Sequence, residues 1–291
     1  NWFSYSSCEH RSVREDVGLF DQTSFAKFLL QGGDAESVLQ RICANDIAVP
    51  EGRTVYTPML NHAGGIECDL TVTCLSEGHY MIVTGAAVAR HDFTWIKQNI
   101  PEQAKAFLTD VTSAYSVIGI MGPKSRQLLS SLTEADLSNN AFPFLASREI
   151  GLEYATVRAT RITYVGELGW ELYIPTEFTL AVYDSIVRKG TEFELRHVGF
   201  HALDSLRMEK AYRAWGKDIT PRDTPLEAGI SFGVASDKKV DFNGREAFLR
   251  QRELGLNRRL VIFTLDDPEP LILGDEPIYR NGKIVGLITS G

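Results

Sequence analysis

The chain has 291 residues, 44% of them hydrophobic and 23% charged, which is the composition of a globular protein large enough for two or three domains. Its 30 Lys and Arg against 38 Asp and Glu give a net charge of -8, which argues against nonspecific binding to nucleic acid or to an anionic membrane surface. The longest apolar runs, such as 116–121, fall far short of the ~20 residues that a membrane-spanning helix requires.

Helical and β patterns alternate along the chain without a strict repeat. Four helices are predicted with both ends, over 90–96, from 123 to about 132, over 176–190 and from 200 to about 214. Two more are predicted by their N-terminal signals alone, at 33–36 and at 133–136. The predicted strands lie within 54–84, at 114–122 and at 153–165. From 258 onward the pattern is purely β and stops in mid-pattern. We therefore predict an α+β fold with two interleaved α+β subdomains in residues 1–256 and the start of a separate β domain in residues 257–291.

Several common signatures are absent from the sequence. No G-x-G-x-x-G, P-loop or G-x-S-x-G motif occurs. His197 and His201 lack both an intervening Glu and a third ligand, so no metal site is expected. The four cysteines form no C-x-x-C pair, which favours reduced thiols in a reducing compartment. The chain opens at Asn1 with neither an initiator Met nor an apolar leader, so we expect a processed protein or, preferably, a piece of a longer one.

One carboxylate follows a double-glycine turn in the segment 54–73. Two β-rich runs, 54–60 and 70–72, flank the loop 61–65, which ends in Gly-Gly, so the segment predicts a hairpin with its turn at the glycines. Asp69 then stands early in the returning strand, held by rigid backbone as a catalytic carboxylate should be. The alternative is that Asp69 only caps the turn by accepting hydrogen bonds from backbone N–H groups.

The segment 161–174 repeats this arrangement, with a strand, a glycine turn at 166–169 and a returning strand that begins just before Glu171. A carboxylate there can accept two hydrogen bonds from an amidine-like N–H pair on a heterocycle, as carboxylates do with pterins and guanines. Tyr164 on the partner strand can stack on the same ring or hydrogen-bond to it. The alternative is a cross-strand ion pair of Arg161 with Glu171.

The helix predicted over 200–214 has a basic edge that includes Arg207 and Arg213. In a net-acidic protein such an edge could receive the carboxylate tail of a ligand. The alternative is pairing within the helix, of Asp204 with Arg207 and of Glu209 with Arg213.

Four long motifs, in order along the chain, carry a resemblance to a known family. They are Tyr56-Thr-Pro-Met-Leu-Asn-His-Ala-Gly-Gly-Ile-Glu-Cys-Asp-Leu-Thr-Val72, Tyr164-Val-Gly-Glu-Leu-Gly-Trp-Glu-Leu172, Asp204-Ser-Leu-Arg-Met-Glu-Lys-Ala-Tyr-Arg-Ala-Trp-Gly216 and Pro225-Leu-Glu-Ala-Gly229. Together they resemble the aminomethyltransferase (glycine-cleavage T-protein) family. Within it, the closest likeness is to the folate-binding C-terminal region of sarcosine and dimethylglycine dehydrogenases.

The resemblance implies a cloverleaf of three domains around a central tetrahydrofolate channel, the third being a β-barrel or jelly roll that is truncated here. It also implies the roles of four residues. Asp69 is the acid/base or orienting group in one-carbon transfer, Glu171 clasps the pterin with Tyr164 beside it, and Arg207 lies toward the benzoyl-glutamate side. Because Glu67 is two residues from Asp69, we expect the proximity of the two carboxylates to raise a pKa.

In such a dehydrogenase a flavin domain oxidises an N-methyl amine to an iminium, and a folate nitrogen attacks the one-carbon unit. The residue matching Asp69 manages the proton as methylenetetrahydrofolate forms. The resemblance therefore implies tetrahydrofolate, FAD in a domain or subunit outside this chain, an N-methyl amine substrate, and a location in the bacterial cytoplasm or the mitochondrial matrix. The motif at 166–171, together with Trp215, favours this flavin-linked branch over docking to a lipoyl carrier protein. Two alternatives stay open: a folate-dependent methyltransferase or demethylase without a flavin partner, and a noncatalytic regulatory homologue.

Overall fold

Two β-sheets packed against helices form most of the computed structural model, which describes residues 2–291. The helices are α1 (Phe3–Glu15), α2 (Ala35–Ile42), α3 (Ala89–Gln98), α4 (Ser125–Ser130), α5 (Thr179–Gly190), α6 (Phe200–Glu209) and α7 (Arg245–Leu254). The strands are β1 (Gly18–Asp21), β2 (Ala26–Gln31), β3 (Arg53–Leu60), β4 (Ile66–Ser76), β5 (His79–Thr84), β6 (Phe107–Asp110), β7 (Tyr115–Met121), β8 (Ser147–Leu152), β9 (Ala155–Thr160), β10 (Gly169–Pro175), β11 (Arg196–His197), β12 (Pro277–Arg280) and β13 (Lys283–Leu287). Among these helices none is both long enough and apolar enough to cross a lipid bilayer.

The first sheet has the strand order β3-β4-β5-β2-β6 and is antiparallel throughout. Side chains alternate between its two faces, so Leu70 and Val72 of β4 enter a buried core together with α2 and α3. Asp69 and Thr71 consequently point to the opposite face, which no helix of that core covers.

The second sheet has the order β11-β1-β7-β10-β9-β8, and its pairs are antiparallel except for β1 with β11. On one face, residues such as Ile118 and Leu172 pack with α4 and α5. Glu171 and Tyr173 of β10 lie on the other face. Because both faces are covered, β10 is buried along nearly its whole length.

The remaining faces of the two sheets pack against each other. Val83 of β5 lies in one buried cluster with Val117 of β7 and Tyr173 of β10. Thr71 of β4 pairs with Val83, and Asp69 lies two residues before Thr71 on the same face. Glu171 likewise lies two residues before Tyr173. The two carboxylates singled out from the sequence therefore line facing surfaces of the two sheets.

Two elements predicted between α4 and β10 differ in the structure. The segment 133–136 forms turns, not a helix, because its hydroxyl and carboxylate side chains accept hydrogen bonds from backbone N–H groups two residues ahead, at 3.3 and 2.8 Å. The strand predicted over 153–165 ends at Thr160. Beyond it the Thr163 hydroxyl accepts two backbone N–H hydrogen bonds, each 3.1 Å long, and holds a loop. Tyr164 therefore lies in this loop and not on a strand.

Two further predictions are longer than the elements that form. The helix predicted over 200–214 ends at Glu209, because Ala211 adopts φ 56° in the left-handed region, which cannot continue a right-handed helix. In residues 257–291, strands form only at β12 and β13, which pair as one antiparallel hairpin, and no closed barrel is present there.

Candidate functional site

Asp69 does not cap the hairpin turn before it. In the loop between β3 and β4, the Asn61 Oδ1 atom accepts hydrogen bonds from the N–H groups of Ala63 and Gly65, at 3.0 and 2.9 Å. Asp69 lies further along, opposite Pro58 in the ladder, and accepts no backbone hydrogen bond within residues 2–291. The capping alternative is therefore wrong, and Asn61 serves that purpose.

The Asp69 carboxylate is half-buried, and its Oδ1 atom is fully buried with no hydrogen-bond partner among the described residues. Burial, helped by the nearby charge of Asp92, raises the pKa of Asp69 to about 6, against the opposing effects of Tyr56 and Arg213. The rise was predicted, but its predicted cause was wrong. Glu67 accepts a hydrogen bond from Asn61 at 3.0 Å and is not among the causes. A carboxylate with this pKa can exchange a proton near neutral pH.

Asp92 is buried and is held near Asp69 by hydrogen bonds to buried Thr84 and exposed His91. One carboxylate oxygen accepts a 2.6 Å hydrogen bond from the Thr84 hydroxyl, and the other lies 2.9 Å from His91 Nδ1. Ligand-type atoms of Cys68, His91 and Asp92 all lie within 4.8 Å of one another. Because Asp92 and His91 already have these partners, we interpret the cluster as an anchor that keeps the charge of Asp92 close to Asp69.

Tyr164 contacts Arg213, which the sequence analysis placed on the basic edge, and it lies within electrostatic range of Asp69. Its hydroxyl donates a 2.8 Å hydrogen bond to the Arg213 carbonyl, and its ring stacks on Tyr212 with centroids 5.9 Å apart. Burial raises the pKa of Tyr164 well above its ordinary value, and the charge of Asp69 adds to the rise. The loop that holds Tyr164 is thereby fixed to the segment that follows α6.

Arg207 is buried and fully engaged. Its Nη2 lies 2.6 Å from Asp204, its Nη1 contacts Asp218, and it donates to the Tyr212 carbonyl at 3.1 Å and to the Ser290 hydroxyl at 2.7 Å. The pairing of Asp204 with Arg207, weighed as an alternative, is thus present. Through Ser290 the network also ties residues 257–291 to the end of α6.

The other pairing weighed for this helix, Glu209 with Arg213, is wrong. Glu209 accepts hydrogen bonds from Arg14 and lies 3.1 Å from His10. Arg213 instead donates through Nε to the Ala228 carbonyl at 2.7 Å and through Nη1 to a second carbonyl, while Nη2 makes no hydrogen bond within residues 2–291. Its charge acts on both Asp69 and Tyr56. Arg213 therefore keeps one guanidinium nitrogen free, and its positive charge acts on Asp69.

Glu171 stands on the facing surface, 7% exposed, between β7 and β9. It accepts a 2.6 Å hydrogen bond from the Tyr173 hydroxyl, and burial raises its pKa. The predicted alternative, an ion pair with Arg161, is wrong, since Arg161 donates to the Phe142 carbonyl at 2.7 Å. Sequence reasoning missed Tyr173, although its position two residues after Glu171 in one strand was a usable signal.

Gln22, which follows β1, was also missed. It is 3% exposed, yet neither atom of its side-chain amide has a hydrogen-bond partner within residues 2–291. The amide lies over Gly119 of β7, where a Cβ would be only 2.5 Å from Gln22 Oε1. Gly119 pairs directly with Glu171 of β10. No sequence pattern marks Gln22, because its surroundings are set by strand packing.

Sequence models of two domain families match this chain. The GCVT N-terminal domain covers residues 1–238, and the glycine cleavage T-protein C-terminal barrel domain covers residues 258–291. The chain is 35% identical to an aminomethyltransferase of Listeria monocytogenes, over 99% of this chain and 78% of that protein. The chain therefore belongs to the glycine cleavage T-protein, or aminomethyltransferase, family.

Two longer relatives match as well. The chain is 42% identical to human mitochondrial sarcosine dehydrogenase, over 94% of this chain and 31% of that protein. It is 37% identical to rat mitochondrial dimethylglycine dehydrogenase, over 100% of this chain and 34% of that protein. The chain thus spans about a third of the length of these relatives. The predicted resemblance to both kinds of protein is confirmed.

The fold is also found in a solved structure. The glycine cleavage system aminomethyltransferase T of Bartonella henselae superposes with a TM-score of 0.87 at 27% identity, covering 98% of this chain and 77% of that one. The predicted α+β aminomethyltransferase fold is confirmed.

Proposed function

We propose that this chain binds tetrahydrofolate between the facing surfaces of its two sheets and transfers a one-carbon unit to it. In this proposal the one-carbon unit comes from the flavin-dependent oxidation of an N-methyl amine such as sarcosine or dimethylglycine. The observation that carries the proposal is the pair of facing carboxylates. Asp69 has an unpaired buried oxygen and a pKa of about 6, and Glu171 is buried with Tyr173 as its only hydrogen-bond donor in residues 2–291.

The residues around the two carboxylates fit such a ligand. Glu171 presents a buried carboxylate, which can accept hydrogen bonds from the adjacent ring N–H and amino groups of a pterin. Tyr164 offers a half-buried aromatic ring beside Asp69. For the glutamate tail, Arg213 offers a free guanidinium nitrogen, whereas Arg207 is already occupied by carboxylates. We therefore propose that Arg213 contacts the tail directly. Arg207 then supports the tail end of the site through its ion pair with Asp218.

Asp69 is the residue suited to proton transfer. Bound tetrahydrofolate would supply the nucleophilic nitrogens that accept the one-carbon unit. With a pKa of about 6, Asp69 is mostly ionised at neutral pH but still close to its titration range. Its buried Oδ1, which has no partner in the described chain, is free to accept a proton that a nitrogen loses as the new C–N bond forms. Exclusion of water around this oxygen strengthens the interaction.

The remaining parts of the proposal concern the surroundings of this chain. FAD would belong to a domain or subunit outside it, as the likeness to sarcosine and dimethylglycine dehydrogenases supports. A mitochondrial matrix or bacterial cytoplasmic location agrees with the kinds of relatives found. We also propose that residues 1–256 and 257–291 are separate folding units. The second would touch the site through Ser290, which hydrogen-bonds to Arg207.

Calorimetric titration with tetrahydrofolate tests the binding site. We expect saturable binding by the wild-type chain and a loss of about 10- to 100-fold in affinity for Glu171→Gln, which keeps the partner for Tyr173 but offers one acceptor in place of two. Glu149→Gln is the matched control, because Glu149 lies exposed on β8 and pairs with Arg158. Equal affinities for wild type and Glu171→Gln would contradict the placement of the ligand.

The donor of the one-carbon unit needs a second assay, since plain aminomethyltransferases share the fold. The chain with tetrahydrofolate is given either sarcosine with a flavin amine oxidase, or a lipoyl carrier protein bearing an aminomethyl group. Methylenetetrahydrofolate is then measured by a coupled dehydrogenase. We expect product above the level without the chain only with the first donor. If product forms only with the lipoyl carrier protein, transfer without a flavin partner is favoured. If the chain binds tetrahydrofolate but forms product with neither donor, a noncatalytic homologue is favoured.

A further inference from the structure

We propose that Gln22 binds the same ring as Glu171 and supplies the hydrogen-bond donor that a carboxylate cannot. This inference rests on the proposed function, and it adds a residue that determines which rings fit the site. When it is ionised, the Glu171 carboxylate accepts hydrogen bonds but has none to donate. A ring that carries both N–H groups and a neighbouring carbonyl, such as a 2-amino-4-oxo pyrimidine edge, needs an acceptor and a donor side by side.

The first support is that the Gln22 side-chain amide is buried and makes no hydrogen bond among the described residues. Only 3% of the residue is exposed, and neither Nε2 nor Oε1 has a partner within residues 2–291. Its backbone is fixed, because the Gln22 N–H donates to the Val117 carbonyl at 2.9 Å. A buried primary amide with no hydrogen bond destabilises a folded protein, so such groups are few and usually have a purpose.

The second support is the position of the amide. It reaches over Gly119, and any side chain at Gly119 would collide with it, since a Cβ there would lie 2.5 Å from Oε1. Gly119 pairs with Glu171 in the ladder between β7 and β10. Gln22 and Glu171 therefore flank one glycine on the same face of the sheet. The Gln22 amide fills the space above Gly119, so a ring held by Glu171 would meet this amide at its edge.

The test uses Gln22→Met, which keeps the length of the side chain but removes its hydrogen-bonding groups. The ligands are tetrahydrofolate and 6-hydroxymethyl-tetrahydropterin, which is the ring without its benzoyl-glutamate tail. We expect the affinity for both ligands to fall by about the same factor, 10- to 100-fold. Gln251→Met is the matched control, because the Gln251 amide oxygen is also buried without a partner but lies in α7, and its affinity should not change.

Thermal stability without ligand provides a separate readout. If Gln22 serves a ligand, replacing its unpaired amide by Met should raise the melting temperature of the free chain. A lower melting temperature, or failure of the variant to fold, would show that Gln22 has a structural role and would overturn the inference. Unchanged affinity of Gln22→Met for tetrahydrofolate would also overturn the inference. The same holds if affinity is lost for tetrahydrofolate but not for the tail-less pterin. No binding by the wild-type chain would overturn the proposed function as well, so the two failures can be distinguished.

Discussion

Replacing Asp69 with Asn should stabilise the folded chain at neutral pH. Asn has nearly the same shape as Asp but no charge, and the site holds the charge of Asp69 unfavourably. The Oδ1 atom is buried without a partner, and Asp92 lies close enough to repel the carboxylate. Substituting a residue so well suited to proton transfer is thus expected to harm catalysis and to help stability.

The magnitude follows from the pKa of Asp69, which burial raises from its ordinary value of 3.8 to about 6. Each pH unit between these values corresponds to about 1.4 kcal/mol, so ionisation of Asp69 in the folded state costs at most about 3 kcal/mol. Because the side chain is half-buried and partly screened by water, we expect about 1 to 3 kcal/mol.

The stability difference between Asp69→Asn and wild type should depend on pH in a definite direction. The folded chain binds the Asp69 proton more tightly than the unfolded chain, so the contribution of this residue to stability is fully present below about pH 4 and is lost as pH rises through 6. The advantage of Asp69→Asn should therefore be near zero at pH 4 and complete above about pH 7. Thermal melts of both proteins between pH 4 and 8 measure this difference. An Asn variant that is less stable at pH 7.5, or an advantage that does not change with pH, would show that the folded chain does not disfavour the charge of Asp69.

Three other substitutions have expected outcomes. Tyr164→Phe removes the hydrogen bond to the Arg213 carbonyl and should lower stability by about 1 kcal/mol in urea melts, with weaker tetrahydrofolate binding in the same titration. Arg207→Met leaves Asp204 and Asp218 without their buried partner and should cost about 3 to 5 kcal/mol in urea melts, whereas a loss below 1 kcal/mol would mean that the network is dispensable. Lys238→Met leaves three backbone carbonyls in and just after the last turn of α2 without their donor, and a fall in melting temperature of several degrees is expected.

The sequence was sufficient to place Asp69 and Glu171 early in strands, because each follows a glycine-rich turn and the alternation of each strand is visible locally. It could not show that Asp92 is the charge acting on Asp69, since Asp92 comes from α3 and reaches the site only when that helix packs on the first sheet. Gln22 was invisible for the same reason, as only the pairing of β7 with β10 places it near Glu171.

Element ends were predicted less well than element centres. The strand predicted to include Tyr164 stops at Thr160, three residues before Thr163, whose hydroxyl accepts hydrogen bonds from two backbone N–H groups. Helix α6 stops at Glu209, before Ala211 in the left-handed region. Threonine and alanine are common inside strands and helices, so neither residue marks an end in the sequence.

The role of Asp69 as proton acceptor is tested most directly by comparing ligand binding with one-carbon transfer in Asp69→Asn. Tetrahydrofolate affinity is determined by titration, and methylenetetrahydrofolate formation by the coupled assay with the flavin-derived donor. We expect an affinity within about threefold of wild type and a transfer rate at least about 100-fold lower, because a positioned general base contributes a factor of this size. Transfer by Asp69→Asn at the wild-type rate would contradict the role of Asp69 as the proton acceptor.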